Sequence, residues 1–193
     1  MVGLTKGRSY KPFTTDEVEK LYATALSRGD DNLANLIRIG AYTGMRLEEI
    51  CSLKSHDTDL EKGFINVVDA KTNAGIRTIP IHSELKETIT ALNQSSTDGY
   101  VLSGLTFNKY GDRSNAIGKR FGRLKNGLNH NGLKVFHSIR KTFTTALENA
   151  GVSENVAADI LGHEKPRITY GIYSGGTQLD LMRDAIERVR YDF

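Results

Sequence analysis

Residues 64–81 change the rhythm of the chain, and that change limits the folds open to it. Before this point apolar residues recur at helical spacing. "FTTDEVEKLYATALSRG" carries a helix start, with Thr14 or Thr15 as cap, acids in the first turn and Gly29 near the stop. Asp30 or Asp31 can cap a second helix, whose Leu33, Leu36, Ile37 and Gly40 share a face. After Thr43-Gly44, "MRLEEICSL" supplies another turn or two. Then "FINVVDA" and "IRTIPI" flank "KTNAG", an antiparallel hairpin with Asn73 or Gly75 at its turn and Pro80 near a strand end. Helical patterns resume at about Ser83–Leu92, 113–125, 138–150, 153–161 and 178–190, with Gly151 and Gly162 placed as C-terminal caps. A lone hairpin inside a helical chain predicts an α+β fold, mostly α-helical, with one small antiparallel sheet.

The 193 residues suit one domain with short appendages, and 38% apolar against 25% charged residues allows a globular core. No apolar run approaches the roughly 18 residues of a membrane span, and "MVGLTKGRSY" has no signal-peptide core. The single cysteine, Cys51, excludes an internal disulfide and fits a reducing compartment, so the expected location is cytoplasmic.

Net charge is only +3, but residues 113–147 hold eight Lys/Arg and no Asp or Glu. The other 18 of the 26 basic residues share the rest of the chain with all 23 acids. Glycine, asparagine and aromatic residues interleave with the block, which points to a surface for a polyanion over an ordinary solvated helix face.

Several chemistries lack their residues. There is no H-E-x-x-H, no zinc-spaced Cys/His cluster and no G-x-S-x-G elbow. "GDRSNAIGK" resembles a phosphate loop only superficially, since its glycines are too far apart. In "VFHSIRKTF", His137 and Arg140 stand one helical turn apart beside an apolar stripe of Ile139, Phe143, Ala146 and Leu147. A guanidinium and an imidazole together suit an oxyanion. For that spacing alone, an arginine paired with an acid and a histidine packed on Phe136 is the commoner arrangement. "TGMRLEE" sets Arg46 at a helix start, three residues before Glu49, which can pair with it and orient it. Lys71 sits at the hairpin tip, ordinarily a solvated position. "LGHEKPRITYGIYS" adds His163, Tyr170 and Tyr173.

In this order the pieces are similar to the catalytic domain of tyrosine recombinases, the phage integrase family. The resemblance rests on Gly-Met-Arg46 with Glu49 and Leu53, Lys71 with Arg77 and Pro80, His137-x-x-Arg140, Leu161-Gly162-His163 and a following tyrosine. It implies that Arg46 and Arg140 clamp the scissile phosphate and that Lys71 protonates the leaving 5′ oxygen. His137 and His163 then contact the phosphate and move protons, Glu49 supports Arg46, and Tyr173 is the nucleophile. It further implies strand cleavage and rejoining through a 3′-phosphotyrosyl intermediate, without metal, ATP or other cofactor, in phage or prophage integration and excision. The implied partners are double-stranded DNA at attachment sites, a homotetramer on that DNA, and accessory DNA-bending or directionality proteins, in the bacterial cytoplasm. Candidate DNA contacts within the basic block are Lys119, Arg120, Arg123, Lys125, Lys134 and Lys141.

The chain departs from the family's pattern in places. Lys141 stands where members often carry a histidine, and Tyr173 lies one residue further from His163 than the common spacing. The implied division is a linker or arm over 1–12, a catalytic domain over 13–175 and a tail helix over 176–193, without the family's N-terminal DNA-clamping domain. Type IB topoisomerases share the chemistry, and a non-catalytic DNA-binding regulator could share the fold. The compact domain and tail helix favour recombination over the first, and the full set of polar groups argues against the second.

Overall fold

The computed structural model describes residues 10–68, 75–130, 132–163 and 177–193. Helix α1 (Thr15–Ser27) starts at Thr14, whose hydroxyl accepts from the Glu17 amide while the Glu17 carboxylate accepts from the Thr14 amide. Helix α2 (Asp31–Thr43) starts at Asp30, whose carboxylate accepts from the Leu33 amide at 3.1 Å. Helix α2 is the central element. Its Leu33, Leu36, Ile37, Ile39, Ala41 and Tyr42 are all buried, because it packs against α1 and the other helices around it. Burying a side chain such as Leu36 stabilises the fold by about 2 kcal/mol.

Gly44 ends α2 with φ of 62°. A Cβ there would lie 2.6 Å from the Phe143 ring and 2.8 Å from the Leu161 side chain, so both backbone sign and space require glycine. The one-turn helix α3 (Leu47–Cys51) follows.

The sheet has three antiparallel strands in the order β1 (Thr58–Asp59), β2 (Phe64–Val67) and β3 (Arg77–Pro80). Ile65 pairs with Ile79 and Val67 with Arg77. The two expected strands are present, and β1 is an addition, since two residues are too few to show a period. The hairpin tip at 71–74, with Lys71 and Asn73, lies outside the described residues.

Helices α4 (Ser83–Ser95), α5 (Ser114–Gly127), α6 (His137–Asn149), α7 (Glu154–Leu161) and α8 (Leu179–Ile186) complete the chain. The apolar stripe of α6 is buried through Ile139, Phe143 and Leu147. Gly162 caps α7 with φ of 68°. Helix α8 stops four residues before the expected 190, because Val189 and Tyr191 bury themselves from non-helical backbone. This tail packs on its own chain, α8 against β3 and α7. Buried His82 caps α4 by accepting from the Glu84 amide at Nδ1, while its Nε2 lies 3.1 Å from the Val189 carbonyl. Glu187 accepts from the amide and hydroxyl of Ser83. Among the described residues no helix is long and apolar enough to cross a membrane.

Candidate active site

The turn from Gly44 into α3 places Arg46 as the residue before the helix, with extended backbone. Glu49 is held from three sides. Its Oε2 accepts from the Arg46 amide at 2.9 Å, and its Oε1 accepts from Arg46 Nη1 at 2.5 Å. Arg77, at the start of β3, reaches across and donates to the same carboxylate at 2.9 and 3.3 Å. Arg77 also donates to the carbonyls of Ile160 and Gly75, so it joins the sheet, α3 and α7. The Glu49 and Arg77 side chains are each 5% exposed, whereas Arg46 is 39% exposed and keeps an open face. Arg77 stood in the sequence motif without a role; its burial and its carboxylate partner now define one.

Arg140 comes from the first turn of α6 and is 3% exposed. Its guanidinium donates to Gly44 O at 2.7 Å and Leu161 O at 2.6 Å, and lies 2.8 Å from His163 Nε2. The ends of α2 and α7 therefore hold it in place. A guanidinium only donates, so His163 Nε2 is the acceptor and its ring proton sits on Nδ1. His137 begins α6 and, like His163, leaves part of its surface open to solvent while its inner side packs on the site.

The charges converge. Burial would raise the Glu49 carboxyl, but the hydrogen bonds and charge of Arg77, with Arg46, outweigh it and hold it down at about 2. Burial, then the charges of Arg46 and Arg77, pull Arg140 down to about 9, so it remains cationic at neutral pH. His137 is lowered by burial and by Arg140, Lys141 and Arg46. His163 is lowered by burial, Arg140, Arg46, Arg77 and His137. Both imidazoles are thereby biased toward the neutral form.

Lys71, Tyr170 and Tyr173 lie outside the described residues. The structure separates the remaining basic candidates. Lys119 and Arg123 are exposed on α5. Arg120 is ion-paired with Asp30, and Lys134 with Glu17. Lys125 is buried and donates to the Asn126 side chain and the His130 carbonyl, while Lys141 donates to the Tyr10 carbonyl. Beside the arginines runs a groove of about 610 Å³, lined by Arg46, Glu48, Ser114, Lys119, Lys125 and His137 among others. Glu48, on its wall, and the buried Arg113 had no distinguishing signal in the sequence. Among the described residues no cluster of three His, Cys, Asp or Glu could hold a metal.

The phage integrase family model matches residues 11–178. The chain belongs to the phage integrase family. Tyrosine recombinase XerA of Pyrococcus furiosus is 31% identical over 186 residues, 92% of this chain and 61% of its own length. XerA of Thermococcus kodakarensis is 32% identical, with 93% and 63% covered. Prophage integrase IntR of Escherichia coli is 28% identical, with 88% and 49% covered. The chain thus spans less than two thirds of these relatives. The integrase of mycobacterium phage Brujita superposes with a TM-score of 0.71 at 21% identity, covering all of this chain and 62% of the other, a shared fold. The Tn1549 transposon integrase, solved in complex with circular intermediate DNA, gives 0.67 at 25% identity, with 96% and 69% covered. The mostly helical fold with its small sheet is that of integrase-family catalytic cores.

Proposed function

We propose that this chain carries the catalytic domain of a site-specific DNA recombinase that cuts and rejoins strands through a covalent 3′-phosphotyrosyl intermediate. The observation that carries the reading is the Arg46–Glu49–Arg77 cluster facing Arg140–His163 beside an open groove. The exposed face of Arg46 and the fixed fork of Arg140 take the non-bridging oxygens of a phosphodiester. Each such preorganised donor contributes roughly 3 kcal/mol where the pentacoordinate phosphorus gathers charge.

The family resemblance supplies the other participants. Tyr173 Oη attacks phosphorus, the bond to the 5′ oxygen breaks, and Lys71 protonates that oxygen. A phenol with pKa near 10 needs an acceptor for its proton. A neutral imidazole provides one, and burial with the charges of Arg140, Lys141 and Arg46 biases His137 toward that form, whereas His163 Nε2 is already held by Arg140. The phosphotyrosyl bond conserves the energy of the phosphodiester, so a free 5′ hydroxyl reverses the step without ATP. Rejoining to a second duplex gives integration or excision, and pairs of sites call for a tetramer. The Tn1549 integrase bound to DNA and the prophage integrase relative support duplex DNA and a mobile-element role.

A nicked suicide duplex carrying the attachment site tests this. Wild type should yield an SDS-resistant adduct, Tyr173→Phe should give none, and Tyr170→Phe should retain it. No wild-type adduct would remove the catalytic reading. Relaxation of supercoils without strand exchange would favour topoisomerase action instead.

A further inference from the structure

Helix α3 carries two adjacent carboxylates that serve different neighbours. Glu49 turns to the arginines. Glu48 turns to α5, where Oε1 accepts from the Arg113 amide at 2.9 Å and Oε2 from the Ser114 amide at 2.9 Å. The Ser52 hydroxyl donates to it as well, at 2.6 Å. Arg113 precedes α5 and makes no side-chain cap, so the carboxylate satisfying the first amides of α5 comes from α3, 65 and 66 residues away.

The Arg113 side chain fastens the same junction a second time. It is 2% exposed, donates through Nε to the Cys51 carbonyl at the end of α3, and donates to Leu102 O and Asp98. Its guanidinium lies 3.5 Å from the Tyr100 ring centroid. One turn into α5, a Cβ on Gly118 would lie 3.1 Å from the Leu47 side chain, so the two helices approach closely beside Arg46. The same helix exposes Lys119 and Arg123 and lines the groove with Arg46 and His137.

We propose that Glu48 is a positioning residue, which makes α3 and α5 one unit so that seating α5 on duplex DNA sets Arg46 against the phosphate. This rests on the DNA strand-transfer reading of the site. Because α3 has a single turn, a shift of α5 cannot be absorbed before it reaches Arg46. With both carboxylate oxygens taken by α5 and Ser52, Glu48 acts through the backbone of Arg46–Cys51.

The test uses single-turnover cleavage of the suicide duplex at saturating protein, with affinity read separately on a Tyr173→Phe background. Misplacing a phosphate donor by about an ångström costs on the order of a hundredfold in rate. Glu48→Ala should therefore lose about ten- to a hundredfold in rate with little change in affinity, and Glu48→Gln, which keeps one acceptor, should recover part of it. Gly118→Ala should slow cleavage, since its methyl presses on Leu47, while alanine's helix preference offsets the crowding and keeps the protein folded in a melting curve. Wild-type rates at saturation in Glu48→Gln and Gly118→Ala would overturn the proposal, even if Glu48→Ala failed to fold. Amide exchange separates this from failure of the catalytic reading. Duplex binding should protect both 113–118 and 47–51 in wild type, and should protect 47–51 less than 113–118 in Glu48→Gln. Equal protection of both segments in the variant would refute the coupling whether or not any adduct forms.

Discussion

Arg77 and Glu49 form an ion pair at 2.9 Å with both side chains 5% exposed, and the pair links a strand of the sheet to the turn that carries Arg46. Removing one partner leaves an unpaired charge away from water. Glu49→Ala should lower unfolding free energy by about 3 kcal/mol in urea titration. Adduct formation should fall as well, since Arg46 loses its orienting carboxylate. The sign with pH follows from a folded pKa of about 2 against an ordinary 4.5. The contribution is complete above the ordinary value and is lost as pH falls from there toward about 2.

Arg140→Lys should retain a positive charge yet lose the fork that spans Gly44 O, Leu161 O and His163. Single-turnover cleavage should drop about a hundredfold or more with a smaller loss of DNA affinity. A rate within a few-fold of wild type would contradict the clamp role of this side chain.

Cleavage should need a neutral His137. Burial, then the charges of Arg140, Lys141 and Arg46, hold its pKa below the ordinary value. The single-turnover rate should therefore hold near neutral pH and decline as pH falls below about 6.5. A pH–rate profile reports that decline, which should flatten in His137→Gln.

His82 sets an acid limit on the tail. Its Nδ1 accepts from Glu84 N, and its Nε2 hydrogen points at Val189 O, so both nitrogens are satisfied only by the neutral ring. Burial lowers its pKa, with Arg190 acting in the same sense, while Glu187, Val189 O and Glu84 oppose. For a histidine with a lowered folded pKa, the unfolded chain binds more protons. Stability is then present above about 6.5 and declines as pH falls below it. Melting curves between pH 7.5 and about 5 should show this decline, reduced in His82→Gln.

The basic residues of the 113–147 block should divide by function. Lys119→Gln and Arg123→Gln should each reduce the slope of log affinity against log salt by about 1. Arg120→Gln and Lys134→Gln should act chiefly on stability, since their partners are Asp30 and Glu17.

That division shows what was legible before the structure and what was not. The helix starts at Thr14 and Asp30, the paired strands and the H-x-x-R turn are local patterns, readable within a few residues. The basic block of 113–147 is equally visible, but its neutralising acids stand 90 and 117 positions away, at Asp30 and Glu17. Arg113, first of the block, is buried against Tyr100, a location no charge count reveals. Glu49 was readable as the partner of Arg46, but only the path of α5 shows what its neighbour Glu48 holds.

Arg140 donates two of its hydrogen bonds to main-chain oxygens, those of Gly44 and Leu161. Every amino acid carries that carbonyl, so most substitutions around the guanidinium leave its moorings intact. The freedom stops at Gly44, where even a methyl group would strike Phe143 and Leu161. A site moored this way can keep its shape while most of the surrounding letters change, and it concentrates its vulnerability to mutation on a residue with no side chain at all.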